Sequence, residues 1–149
     1  MRALVQILSV ALLGFVITGC GKLEEYPTTE SAFRATFGKA PPAQITSLQA
    51  YGKTFRDSAH CYLRFNAPLA LVQSLAGGSF SEISAVSFAS NTCNAAIFGP
   101  TPLWWAPSTN STSKFYSSSG FHPSFSQGKA FLAYDATSQI AHFYWDGLD

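Results

Sequence analysis

Ala59-His60-Cys61-Tyr62-Leu63-Arg64-Phe65-Asn66 is the stretch that decides the fold class. Ala59, Cys61, Leu63 and Phe65 alternate with His60, Tyr62, Arg64 and Asn66. Successive strand side chains point to opposite faces, so this period of two predicts a strand with one apolar face. Arg56-Asp57-Ser58 supplies a turn just upstream, and residues 45–66 read as two strands. A second hairpin is expected from Lys129–Tyr134 and Gln139–Asp146, joined by Asp135-Ala136-Thr137-Ser138. Helices fall outside these runs. Thr28 or Thr29 can cap one that carries Glu30 in its first turn, buries Phe33 and Phe37, and stops at Gly38 before Pro41-Pro42. Asn66 can cap a second, with Pro68 in its first turn and Gly77-Gly78 as its stop. Ser79-Phe80-Ser81-Glu82 fits a capping box for a third, running to about Ser90. Residues 106–120 read as loop, because nine of the 13 residues Ser108–Gly120 are Ser, Thr or Asn. Strands and helices do not alternate strictly. The expected class is therefore α+β: a small antiparallel sheet of about four strands in two hairpins, with two or three helices packed on it.

Composition limits what such a domain can do. The 149 residues are 47% hydrophobic and 11% charged, with a formal net charge of +1. No basic cluster is present, and counterion release needs one, so nucleic acid is excluded as a partner. The apolar content excludes a disordered chain. Phe, Tyr and Trp make up 15% of the residues, and each can bury about 150–250 Å², so a core can form with few aliphatics.

The N-terminus gives an address. Met1-Arg2 is followed by 17 uncharged residues, Ala3 to Gly19, short of the ~20 that a stable membrane span needs. Small residues near the end of the run favour an export signal. Ile17-Thr18-Gly19-Cys20 resembles the lipobox of bacterial lipoproteins. The resemblance implies a diacylglyceryl group on the Cys20 sulfur, cleavage after Gly19 and acylation of the new amine. Two or three acyl chains give stable anchoring where one does not. Gly21 stands where aspartate would suggest retention at the inner membrane, so the outer membrane, facing the periplasm, is the expected location. Residues 1–19 are then a lipoprotein signal peptide, 20–28 a lipidated tether and 29–149 a single globular domain. Export to an oxidising compartment leaves Cys61 and Cys93 as an expected disulfide, with a stabilisation of roughly 3–4 kcal/mol for a loop of that length.

No catalytic or metal constellation emerges. His60, His122 and His142 lack metal-ligand spacing, and His60 beside Cys61 on a strand points away from it. Asp57-Ser58-Ala59-His60 holds the letters of a hydrolytic triad, but Asp-Ser in a turn is explained by backbone capping. Neither a G-x-S-x-G nor an H-E-x-x-H motif occurs. The reading is a non-enzymatic protein without cofactor or metal. Two features favour binding. The 49 residues between Arg64 and Lys114 carry one charge, Glu82, and the same segment contains Pro102-Leu103-Trp104-Trp105-Ala106-Pro107. Two tryptophans on a proline-bounded loop cannot easily share one inward face, so Trp104 and Trp105 are the candidate binding residues. The pattern Phe37-Gly38, Pro41-Pro42, Cys61-Tyr62-Leu63-Arg64-Phe65, Trp104-Trp105-Ala106-Pro107 and Tyr134-Asp135 resembles a class of small, uncharacterised bacterial envelope proteins. That resemblance implies no activity. The functional expectation is a membrane-anchored envelope lipoprotein that binds another envelope protein, as assembly partner or immunity factor. The alternative is a peptidoglycan binder that stacks sugar on Trp104 or Trp105, with hydrolase activity as a third reading.

Overall fold

The computed structural model describes residues 23–92 and 98–149. In chain order the elements are β1 (Glu24–Glu25), α1 (Thr29–Phe37), β2 (Thr46–Phe55), β3 (Ser58–Asn66), α2 (Leu69–Ala76), β4 (Ser81–Ile83), α3 (Ala85–Thr92), β5 (Ser113–Ser118), β6 (Gln127–Asp135) and β7 (Ile140–Leu148). The seven strands of the described residues form one antiparallel sheet in the order β1-β2-β3-β7-β6-β5-β4. The α+β class stands, but the expected four-stranded sheet is corrected to seven. The two expected hairpins are its centre, joined by nine residue pairs between β3 and β7. The three additional strands lie at the edges. β1 has two residues, too few to show a period, and β4 has three. β5 lies inside the Ser-rich stretch expected to be loop, because its ladder comes from β6 and its buried side chains are only Phe115 and Ser118.

Local chemistry sets the helix ends. Thr28 Oγ1 accepts from the Ser31 amide at 3.0 Å, Ser31 Oγ accepts from the Thr28 amide at 3.1 Å, and Gly38 closes α1 at φ 72°. Two expected caps move. Asn66 ends β3 and donates to the Ser138 carbonyl at 3.1 Å, so Pro68 takes the N-cap position of α2, with no side-chain cap bond. Ser81 and Glu82 belong to β4, and Ser84 caps α3 by accepting from the Ser87 amide at 3.1 Å.

Both faces of the sheet are covered. Under α1 and α2 lie Ala59, Cys61, Leu63 and Phe65 of β3 with Ala130, Leu132, Phe143 and Trp145. On the opposite face Tyr62, Phe115, Phe131, Ala133 and Tyr144 pack with Phe88 of α3 and with Trp105. The polar half of the β3 alternation is thus as buried as the apolar half near its centre: His60 and Tyr62 are fully enclosed. Backbone approaches are tight where β6 meets β7. A Cβ on Gly128 would run into the Asp146 carbonyl oxygen and come within 2.9 Å of His122 Cβ, whereas one on Gly78 meets nothing within 4 Å. Gly128→Ala is therefore expected to lower the free energy of unfolding by roughly 1–3 kcal/mol, the range for overpacking. Gly78→Ala should leave the urea midpoint nearly unchanged, and equal midpoints for the two variants would contradict this packing.

Candidate functional site

The face covered by α3 carries both candidate tryptophans and most of the buried polar groups. Trp105 is held by its amide, which donates to the Pro102 carbonyl at 2.9 Å. Its ring meets Tyr62 at 4.9 Å, His142 at 5.2 Å and Phe88 at 6.3 Å. Trp105 is buried, so of the expected pair it is the anchor. Trp104 is half-buried and packs edge-on to Trp105 at 6.4 Å. Leu103, beside it, is fully exposed. Val86 on α3, two residues from Phe88, is also exposed.

Strand register organises the rest of this face into rows. Lys53 pairs with His60, His60 with Asp146 and Asp146 with Lys129, with Glu25 of β1 beside Lys53. Five residues from five strands thus form one polar row. Lys53 Nζ lies 3.3 Å from Glu25 Oε1, and Lys129 Nζ lies 3.9 Å from Asp146 Oδ2. The Tyr144 hydroxyl donates to Asp146 Oδ2 at 3.1 Å. Burial raises the pKa of Asp146 and of Tyr144. A bond to Tyr51, with Glu25 adding to it, raises that of Lys53. The next row along the strands is aromatic: Tyr51, Tyr62, Tyr144 and Phe131. The row after that holds Arg64, His142 and Ala133.

His60 sits at the middle of the polar row with neither ring nitrogen bonded among the described residues. The Phe98 ring stacks on it at 4.2 Å. Burial pushes its pKa down to about 4, with Lys53 adding to the shift. His142 has an unbonded Nε2, and burial followed by Arg64 lowers its pKa to about 4. Aromatic rings pack against both imidazoles, Phe98 on His60 and Trp105 on His142. Ser58 Oγ donates to the Phe55 carbonyl at 2.9 Å, the turn role expected for it. His122 Nδ1 lies 2.7 Å from the Phe125 carbonyl oxygen. Among the described residues no group of three His, Cys, Asp or Glu could hold a metal ion.

Cys20 and Cys93 lie outside the described residues, so the lipid site and the partner of the expected disulfide do too. Cys61 is a free, fully buried thiol on the α1 face, pushed up to about 12 by burial. Thr92, the last described residue before Cys93, accepts from the Tyr62 hydroxyl at 2.9 Å on the opposite face. Among the described residues no helix is long and apolar enough to cross a membrane.

The polar row is invisible to sequence reasoning. Its members lie up to 121 positions apart, from Glu25 to Asp146, and only the register of strands distant in sequence aligns them. No family model matches the chain, and no curated protein or solved structure matches it either. The fold and site define a class in physical terms alone: a seven-stranded sheet, buried on both faces, with an exposed leucine on a turn anchored by a core tryptophan.

Proposed function

We propose that this chain is a lipid-anchored protein of the bacterial cell envelope, tethered through Cys20 to the outer membrane, and that its domain is a non-enzymatic module binding another envelope protein. The anchor rests on the Ile17-Thr18-Gly19-Cys20 sequence. The observation that carries the binding reading is the Leu103–Trp104 turn. A fully exposed leucine next to a half-exposed tryptophan leaves apolar area in water, while buried Trp105 fixes the turn that presents it. Preorganised aromatic and aliphatic groups of this kind supply most of the free energy at protein interfaces. The single charge between Arg64 and Lys114 makes the complementary surface apolar, and the association insensitive to salt.

A photo-crosslinking residue placed at Leu103 or Trp104, in the native envelope, is expected to give one discrete protein adduct. The same residue at buried Trp105 should give none. Absence of an adduct at both 103 and 104 overturns the reading. Co-sedimentation with purified peptidoglycan that is lost in Trp104→Ala, without a protein adduct, would replace it by the wall-glycan alternative.

A further inference from the structure

We infer that the domain stands on the bilayer by one end of its sheet, the end formed by the β2–β3 turn, with Leu23 and Leu148 in the lipid interface. The inference rests on the lipid-anchor reading of Cys20 and adds the orientation. Three residue steps separate Cys20 from Leu23, a reach of about 11 Å when fully extended. The acyl chains therefore hold Leu23 within one or two side-chain lengths of the headgroups.

Register then says which end of the sheet is held there. β1 runs antiparallel to β2, with Glu24 opposite Thr54 and Glu25 opposite Lys53. Leu23, one step before Glu24, therefore lies at the end of β2 that carries Phe55 and the Arg56-Asp57 turn. Ser58 opens β3 at that same end, paired with Leu148, which is paired in turn with Gln127 of β6. Leu23 thus stands beside the rim where β2, β3, β6 and β7 all begin or finish. A second observation places apolar area on this rim. Among the described residues five large hydrophobics are exposed, and two of them, Leu23 at 39% and Leu148 at 45%, lie here. The side-chain charges next to them, Lys22 and Arg56 against Glu24, Asp57 and Asp149, sum to −1. Attraction to anionic lipid therefore cannot be what orients the domain. A short tether and apolar contact can. The β6–β7 turn, residues 136–139, closes the opposite end of the sheet. The α3 face with its Leu103–Trp104 turn remains clear of the bilayer for a partner.

The test uses the full chain, acylated in a bacterial host and reconstituted into phosphatidylethanolamine–phosphatidylglycerol vesicles that contain nitroxide-labelled lipid. A fluorescent amino acid is placed singly at Asp57, Leu148 or Thr137. Quenching at 57 and 148 is expected to exceed that at 137 at least two-fold, and to persist in phosphatidylcholine vesicles. Leu148→Ser should reduce the quenching at 57 without releasing the protein. Equal or stronger quenching at 137 overturns the inference. So does weak quenching at all three positions in protein that floats with the vesicles and whose intact mass shows the acyl chains. A mass without acyl chains overturns the anchor reading itself and the orientation with it, so the two failures are told apart by mass.

Discussion

Trp145→Ala is expected to unfold at a free energy about 3–5 kcal/mol below that of the parent, the largest loss from any single substitution considered. Trp145 is the largest of the fully buried side chains, with 1% of its surface exposed. Its neighbours in register are Cys61 on β3 and Ala130 on β6, two small residues that leave a slot for the indole. Small neighbours fixed in a ladder cannot move in to fill the space, so truncation leaves a cavity. Phe125 lines the same region with its ring centroid 5.8 Å from that of Trp145. The indole also ties a helix to the sheet: Nε1 donates to Thr36 Oγ1 at 2.8 Å, and Thr36 Oγ1 donates to the Ala32 carbonyl at 2.8 Å. Trp145→Phe separates the two contributions. It keeps most of the ring and loses the bond, and is expected to cost about 1–2 kcal/mol. Domains of this kind are stable by only about 5–15 kcal/mol, so the alanine variant is close to the limit of folding. Urea denaturation measures both variants. A loss under 1 kcal/mol in Trp145→Ala would show that α1 is not held to the sheet through this residue.

What could be read from sequence was whatever a strand or helix declares within its own length. The alternation from Ala59 to Asn66 located β3 and sorted its side chains to the correct faces, because the period of two is local. Thr28 and Gly38 marked α1 by the backbone groups they satisfy. β5 stayed hidden because a strand can be stabilised by its neighbour's backbone alone, and Ser113, Ser117 and Ser118 carry no apolar period. The division of labour between the two tryptophans was hidden for a related reason. Which of Trp104 and Trp105 turns inward depends on Tyr62, Phe88 and His142, three residues brought together by tertiary structure. The burial of His60 is the sharpest case. The alternation set it on the polar side, and only the docking of Phe98 and α3 over that side encloses it.

That enclosure predicts a steep acid sensitivity. His60 and His142 are neutral in the folded protein down to about pH 4, whereas an unfolded-chain histidine takes its proton near pH 6.5. Between these values the unfolded state binds more protons than the native state, so stability falls as pH falls. It is flat above the window, and the histidine contribution is flat again below it, where both states are protonated. The steepest slope from two such groups is about 2.7 kcal/mol per pH unit, and the loss by pH 4 is on the order of 2–3 kcal/mol for each histidine. Carboxylates act elsewhere or in opposition. Asp135, held down to about 2 by Ser138 and then Thr112, loses its contribution only between pH 3.8 and 2. Burial raises the pKa of Asp146, so the folded state accepts that proton more readily and offsets part of the loss at the acid end. Because neither nitrogen of His60 has a partner among the described residues, His60→Phe forfeits no hydrogen bond to them and keeps a ring against Phe98. It is expected to be neutral or stabilising at pH 7 and to halve the slope. Adding His142→Phe should flatten it. Urea titrations at pH 7, 6, 5 and 4 measure the slope, and a double variant that still loses several kcal/mol between pH 6.5 and 4 would move the origin of acid unfolding away from the enclosed face.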